Sequence, residues 1–221
     1  MTPGFAQSIS PNAQILASKQ VTDLFPDTVL KRLNIHFPIV RVYKYFDKSG
    51  QYYCILTESR NEITADKDTI NHEIKAVNVK ADRGPFAKLW EVNDHIVTNY
   101  HEENSISFWT KYIEFKDFDN DGLIDPLIIY GTFGASGFDD GRIKFIVFYR
   151  NKKFAIRHQN GVLDYERETQ VDKAFYDLPE SLQKDIKQKI ELMMKNNQAI
   201  FPAGWQTAMK NKKTSFNETR H

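Results

Sequence analysis

The stretch IVRVYKYF (residues 39–46), followed by DKSG (47–50) and QYYCILTE (51–58), decides the fold class of this chain. Both outer segments are rich in Val, Ile and Tyr, which are enriched in β-strands. Asp and Gly between them are turn-forming residues. The pattern therefore predicts a β-hairpin.

Similar patterns follow along the chain, and consecutive hairpins imply antiparallel pairing. The alternation of strand and long helix that is typical of Rossmann or barrel enzymes does not occur in the sequence. The Asn160-Gly161 pair is a typical two-residue hairpin turn. The further strands are predicted at 72–80 with 87–97, at 106–115 with 127–133, and at 143–150, 153–158 and 162–166.

Helices are predicted on either side of the strands. Residues 13–34 predict two short helices interrupted by Pro26, with Asp27 capping the second. Late in the chain, Asp177 followed by Glu180 resembles a capping box. The apolar residues behind it recur at helical spacing and indicate one amphipathic helix with a buried face; they are Leu182, Ile186, Ile190, Met193 and Met194.

We therefore predict an α+β fold: a mainly antiparallel meander of about eight strands, with short N-terminal helices and one C-terminal amphipathic helix. Residues 13–209 are predicted to form a single domain. Residues 1–12 are expected to be a disordered segment or the remnant of a signal, and residues 210–221 a frayed tail.

Composition excludes several classes of protein. The 221 residues include 30 basic and 29 acidic side chains, 41% are hydrophobic and the mean hydropathy is −0.54. These values describe a folded protein rather than a disordered chain, and no apolar run is long enough to span a membrane. A formal charge of +1 argues against a generic nucleic-acid clamp, although a local basic patch would escape this count.

The sequence alone is compatible with either an exported or a cytoplasmic protein. The first ten residues contain neither a charged nor an apolar signal region, but Gly4 and Ala6 are placed as a signal peptidase requires for cleavage before Gln7. A trimmed export signal and an ordinary N-terminus are both compatible with this pattern. The single cysteine, Cys54, fits either compartment.

One segment contains a cluster of candidate metal ligands: DFDNDGLID, residues 117–125, which we call the Asp loop. Its carboxylates occupy relative positions 1, 3, 5 and 9, and Gly122 at position 6 permits a sharp turn. Because oxygen ligands select hard cations, we predict a structural Ca²⁺ site. The predicted ligands are Asp117, Asp119, Asp121, Asp125 and the backbone carbonyl of Leu123.

The loop is not that of an EF-hand. Position 12 is Ile128 rather than a bidentate Glu, and Pro126 is expected to open a strand. The loop should therefore join two strands. The alternative is a solvated hairpin turn, since Asp, Asn and Gly are ordinary turn residues.

The Asp loop resembles the calcium loops of integrin-type (FG-GAP or VCBS) propeller blades. The resemblance covers about nine residues and occurs once, so it implies the loop and its ligands but not a propeller. More loosely, the whole chain is similar to uncharacterised exported bacterial proteins, some of them associated with surface-polysaccharide biosynthesis. The segments that carry this similarity are the Tyr-rich first hairpin, residues 88–94, the Asp loop and residues 201–205.

Other candidate residues have simpler explanations. Asp139 and Asp140 could add calcium ligands, but Asp-Asp-Gly is a turn sequence and we favour the turn. The six histidines show no paired metal-ligand spacing. Cys54 is expected to be a small buried hydrophobic residue. The large aromatic residues are expected in the core; these are Tyr52, Tyr53, Trp90, Trp109 and Trp205.

Two hypotheses for function follow. The first is a non-enzymatic, periplasmic or extracellular binding protein, such as an effector immunity protein or an inhibitor, with calcium as a structural ion. The second is an envelope protein or enzyme that acts on a surface polysaccharide, for which two facing carboxylates in a cleft would be evidence. A protein or a surface glycan is the expected partner, and no nucleic acid is expected.

Overall fold

The computed structural model describes residues 12–81, 84–97 and 103–218. Within these ranges the chain forms fourteen β-strands, four α-helices and three short 3-10 helices. The strands are β1 (Ala13–Ile15), β2 (Ile39–Asp47), β3 (Gly50–Glu58), β4 (Glu62–Ile63), β5 (Thr69–Ile70), β6 (Glu73–Ala81), β7 (Ala87–His95), β8 (Ser105–Phe108), β9 (Glu114–Lys116), β10 (Asp125–Phe133), β11 (Arg142–Tyr149), β12 (Lys152–Gln159), β13 (Glu168–Val171) and β14 (Ser215–Asn217). The α-helices are α1 (Ser18–Leu24), α2 (Asp27–Arg32), α3 (Glu180–Lys195) and α4 (Trp205–Lys210), and the 3-10 helices are Phe138–Asp140, Asp164–Glu166 and Lys173–Asp177.

The strands form two main sheets. The first sheet has the order β1-β2-β3-β6-β7, and the second has the order β14-β13-β12-β11-β10-β8, with β9 also pairing with β10. Strands β4 and β5 form a separate two-stranded ribbon. The pairings between these strands are antiparallel. The α+β class and the antiparallel meander are therefore confirmed, with the strands divided between two sheets.

Three hydrophobic clusters show how the sheets and helices stack. Tyr43 of the first sheet and Phe115 of the second belong to a cluster between the two sheets. The outer face of the first sheet buries residues such as Ile55 against α1 and α2. The outer face of the second sheet buries residues such as Phe145 against α3 and α4. The result is a four-layer arrangement of helices, sheet, sheet and helices.

The amphipathic helix agrees with its predicted pattern. The side chains of Leu182, Ile186, Ile190 and Met193 are buried, whereas Leu192 is 44% exposed. The helix begins differently from the prediction, since Pro179 is its N-cap and Asp177 ends the preceding 3-10 helix. Likewise Pro26 rather than Asp27 caps α2.

Two expectations near the C-terminus are wrong. Residues 162–166 are not a strand: they contain a 3-10 helix, and the side chains of Val162 and Leu163 are exposed. The Asn160-Gly161 pair lies in the connection between the antiparallel strands β12 and β13 but does not form a two-residue turn. The buried Asn160 side chain instead donates to the carbonyls of Phe138 and Gln198 at 2.7 and 3.2 Å.

The predicted frayed tail also differs. Within it, β14 pairs with β13 and buries Phe216, because the second sheet offers a free strand edge and an apolar contact there. Residues 1–11 and 219–221 lie outside the described residues, so the signal-remnant prediction is untested. None of the described helices has the length and apolar character needed to cross a membrane.

Candidate metal site

The Asp loop connects β9 to β10, so it joins two strands as predicted. Two left-handed residues curl its backbone: Asn120 has φ of 59° and Gly122 has φ of 82°. A Cβ atom at Gly122 would lie 2.9 Å from Cδ of Lys48. The positive φ favours glycine at this position, and a Cβ there would also displace the Lys48 side chain.

Three of the predicted ligands lie together. Asp117, Asp119 and Asp125 each place a carboxylate oxygen within 4.8 Å of the others. Calcium binds oxygen at about 2.3–2.6 Å, so ligands on opposite sides of one ion are separated by about 4.6–5.2 Å. The spacing of the three carboxylates is therefore compatible with a single ion between them.

Backbone amides hold the carboxylates in place. Asp117 accepts hydrogen bonds from the amides of Gly122 and Asp121 at 2.7 and 3.1 Å. Asp119 accepts one from the amide of Asp121 at 3.2 Å and one from the hydroxyl of Tyr149 at 2.7 Å. Each carboxylate has about four lone-pair sites, so these bonds leave acceptor capacity for a cation.

Asp121 does not join the other three carboxylates. Its amide points toward Asp117 and Asp119, while its carboxylate accepts a bond from the Leu123 amide at 2.9 Å and contacts Arg150 at 3.3 Å. The sequence spacing alone could not reveal this, because the local Asx turn and the distant arginine both draw the side chain away. The carbonyl of Leu123 stays a predicted ligand.

Asp125 is the buried member of the site, with 2% of its surface exposed. Burial raises its pKa to about 7, and the negative charges of Asp119, Asp121 and Asp117 add to the shift, whereas the Phe118 amide opposes it. Burial also raises the pKa of Asp119. Hydrogen bonds from Tyr149 and the Asp121 amide, together with the positive charge of Arg150, lower this pKa by more, so the pKa of Asp119 is below its usual value. The site therefore disfavours a fully ionised state in the absence of a cation.

Several neighbours of the loop were missed by the sequence analysis. They come from the turn between β2 and β3 and from the end of β11, and nothing in the local spacing indicates them. The loop and its neighbours contribute five carboxylates and two cationic side chains, which leaves three uncompensated negative charges when every carboxylate is ionised. The carboxylates belong to Asp47, Asp117, Asp119, Asp121 and Asp125, and the cations to Lys48 and Arg150.

The loop is bonded to both sheets and to α3. The amide of Lys48 donates to the carbonyl of Gly122 at 3.0 Å, and the amide of Ile124 donates to Asp47 at 3.3 Å. The hydroxyl of Ser181, in the first turn of α3, donates to the carbonyl of Phe118. Order in the loop is therefore coupled to the relative position of three layers of the fold.

The other residues considered from the sequence have structural roles. The carboxylate of Asp140 accepts the amides of Gly134 and Ser136 at 3.0 and 2.8 Å, as expected of a turn. Cys54 is fully buried, and burial raises the pKa of its thiol. Among the five aromatic residues, Trp90 is partly buried and stacks on Phe148 with ring centroids 3.7 Å apart, and the others are buried.

Two well-shielded carboxylates in the described part of the chain, those of Glu103 and Asp94, are paired with cations rather than free to act in glycoside hydrolysis. Glu103 and Asp94 both contact Arg142, at 2.7 and 3.4 Å, and Asp94 also contacts Lys144 at 2.6 Å. Cations already neutralise these two carboxylates. Glu58, a partly buried carboxylate, accepts the Phe108 amide at 2.9 Å.

In comparisons with known proteins, no protein-family model, no curated protein and no solved structure matches this chain. The class of protein therefore has to be argued from the Asp loop and its surroundings. The resemblance to FG-GAP or VCBS loops and to exported proteins stays a prediction.

Proposed function

We propose that this chain is a non-enzymatic, extracytoplasmic calcium-binding protein in which the ion has a structural role. The observation that carries the proposal is the convergence of Asp117, Asp119 and Asp125 to within 4.8 Å in a loop with excess negative charge. Burial is the largest cause of the raised pKa of Asp125 and repulsion from the neighbouring aspartates adds to it; a divalent cation would offset both.

Calcium is favoured by the chemistry of the donors. The site offers only oxygen ligands, which suit hard cations. Magnesium requires near-octahedral geometry at about 2.0–2.1 Å, whereas calcium accepts six to eight irregular ligands that include carbonyls and water. An irregular loop with three carboxylates and a candidate carbonyl at Leu123 therefore fits calcium better.

The position of the loop supports a bracing role. It is bonded to the turn of the first sheet through Lys48 and to α3 through Ser181. A site without a bidentate Glu is expected to be weak, with Kd on the order of 10⁻⁴ M or higher. Such a site would be filled outside the cell but not in a resting cytosol, which favours export.

The proposed partner is a protein, and the chain would act by presenting a rigid surface to it, as an effector immunity protein or an inhibitor does. The neutralisation of Asp94 and Glu103 by cations supports binding rather than hydrolysis. A surface glycan remains the alternative partner.

Thermal unfolding in chelator and in millimolar calcium tests the metal proposal. Calcium should raise the Tm because it binds only the folded loop, and Asp119→Ala should abolish this rise. Asp139→Ala, which removes an exposed aspartate from another loop, should retain it. An equal Tm of the wild type with calcium and with chelator would refute the proposal. An equal rise in Tm with millimolar magnesium would refute the choice of calcium as the ion.

A further inference from the structure

A second polar site lies among the helices that cover the outer face of the second sheet, the face turned away from the first sheet. A cleft of about 530 Å³ opens between the Lys173–Asp177 3-10 helix, the first half of α3 and the end of α4. Four lysines line it, two on α3 and two at the end of α4: Lys184, Lys187, Lys210 and Lys212. We call it the lysine cleft.

The lysines of this cleft are free of ion pairs. Within residues 12–81, 84–97 and 103–218, no carboxylate lies within 4 Å of their ammonium groups. Elsewhere on the same helix, Lys189 contacts Glu114 at 2.6 Å and Asp185 at 3.5 Å. One acidic residue, Glu180, also lines the cleft, so four positive charges and one negative charge leave about three uncompensated positive charges.

The floor of the cleft is packed and hydrogen-bonded. Tyr176 and Met209 are buried, and the hydroxyl of Tyr176 donates to the carbonyl of Lys213, just beyond the end of α4. On the other wall, the side-chain amide of Gln183 donates to the carbonyl of Leu178 at 2.8 Å. The two lysine-bearing walls are therefore fixed to the same packed segment, which reduces the cost of ordering them around a ligand.

Lys212 is one of eight non-glycine residues with positive φ in the described part of the chain. Its φ is 54°, just after the C-cap residue Asn211 of α4, where glycine or asparagine is usually preferred. A lysine there costs conformational energy that glycine would avoid.

We propose that the lysine cleft binds a diphosphate group. A phosphate group carries about −1.5 to −2 charges at neutral pH, so two adjacent groups carry about −3 to −4, which matches the local excess of positive charge. The volume lies in the range of small-molecule sites. Lysine ammonium groups bind phosphate as point charges, and the buried floor presents no exposed aromatic face for stacking a nucleobase.

Isothermal titration with inorganic pyrophosphate, in calcium-free buffer, tests this proposal. We expect saturable binding that Lys184→Gln with Lys187→Gln weakens about tenfold, since two charge-assisted contacts are lost. The matched control, Lys19→Gln with Lys195→Gln, removes two exposed charges outside the cleft and should bind as the wild type does. Asp119→Ala should also bind normally, because the cleft does not use the Asp loop.

Lys212→Gly separates binding from folding. It should weaken pyrophosphate binding several-fold while leaving the Tm equal or higher, because glycine accepts the left-handed conformation. Absence of saturable binding to the wild type would overturn the proposal, as would equal weakening by the cleft pair and the control pair.

The same chemistry could come from a nucleotide or from free pyrophosphate, and titration with ADP distinguishes them. Equal affinity would support recognition of the diphosphate alone, and tighter binding of ADP would support a nucleotide ligand. An oligonucleotide that bound more than tenfold tighter than either, with the same loss in the cleft variants, would overturn the proposal in favour of a nucleic-acid site.

Discussion

The amide of Lys48 donates a hydrogen bond to the carbonyl of Gly122 at 3.0 Å, which bonds the turn of the first sheet to the Asp loop of the second. The two residues are far apart in sequence, and the contact brings two separate hairpins together. An ion in the Asp loop would therefore order more than the loop itself. It would also fix the turn between β2 and β3.

Gly122→Ala should destabilise the protein by about 1–3 kcal/mol and weaken its response to calcium. Part of the cost is the left-handed backbone, about 1–2 kcal/mol for a residue with a Cβ, and part is the approach of that Cβ to Lys48. Gly204→Ala is the matched control, since Gly204 is left-handed with φ of 75° but has no atom within 4 Å of the added Cβ. Chemical denaturation should show a larger loss for Gly122→Ala; equal losses would argue against close packing of the two loops.

Ile190→Ala should reduce the free energy of unfolding by about 2–5 kcal/mol, because it leaves a cavity in a packed core. Ile190 is fully buried in the cluster between α3 and the second sheet. Leu192→Ala on the same helix should cost much less, since Leu192 is 44% exposed. Urea denaturation of both variants checks the orientation of α3, and similar losses would contradict it.

The buried His158 should make the protein sensitive to mild acid. Burial lowers its pKa to about 4, and its ring bonds to Thr169 and Asn160 at 2.9 and 2.8 Å and stacks on Phe201. The unfolded state, with a pKa near 6.5, binds the proton first as the pH falls. Stability is therefore lost on going from neutral pH toward pH 4, by about 2 kcal/mol between pH 7.5 and pH 5.

His158→Gln removes this titration and serves as the control for the other groups that titrate in the same range. Its unfolding free energy should be lower at neutral pH but flatter between pH 7.5 and pH 5. Parallel pH profiles for the variant and the wild type would show that His158 is not the group responsible.

Calcium affinity should fall as the medium becomes acidic. Burial and the neighbouring aspartates raise the pKa of Asp125 to about 7, so below this pH the ion has to displace a proton from the site. The apparent affinity should then drop up to about tenfold per pH unit. Titration calorimetry at pH 6 in two buffers of different ionisation enthalpy should detect proton release, and a pH-independent affinity would contradict this ligand assignment.

Local patterns predicted the parts of the fold that depend on local chemistry. The hairpin at residues 39–58, the loop between two strands and the buried stripe of α3 are all set by periodicity and turn residues. The division into two sheets was not predictable, since contacts such as Tyr43 with Phe115 join segments that are distant in sequence. Asn160 was misinterpreted for the same reason: its partners, Phe138 and Gln198, lie in other segments.

The candidate metal site shows the same limit. The spacing of aspartates identified the loop, and three of its four carboxylates converge. The outward turn of Asp121 depends on Arg150 at the end of β11, and the support of Asp119 depends on Tyr149. Neither contact leaves a signal in the nine residues of the loop.

A crystal structure at high resolution, grown with millimolar calcium, tests the central claim most directly. We predict a strong peak bound by oxygens of Asp117, Asp119 and Asp125 at about 2.3–2.6 Å, with anomalous signal at long wavelength. Density for water alone among these carboxylates, or for the guanidinium of Arg150 in the position of the ion, would contradict it.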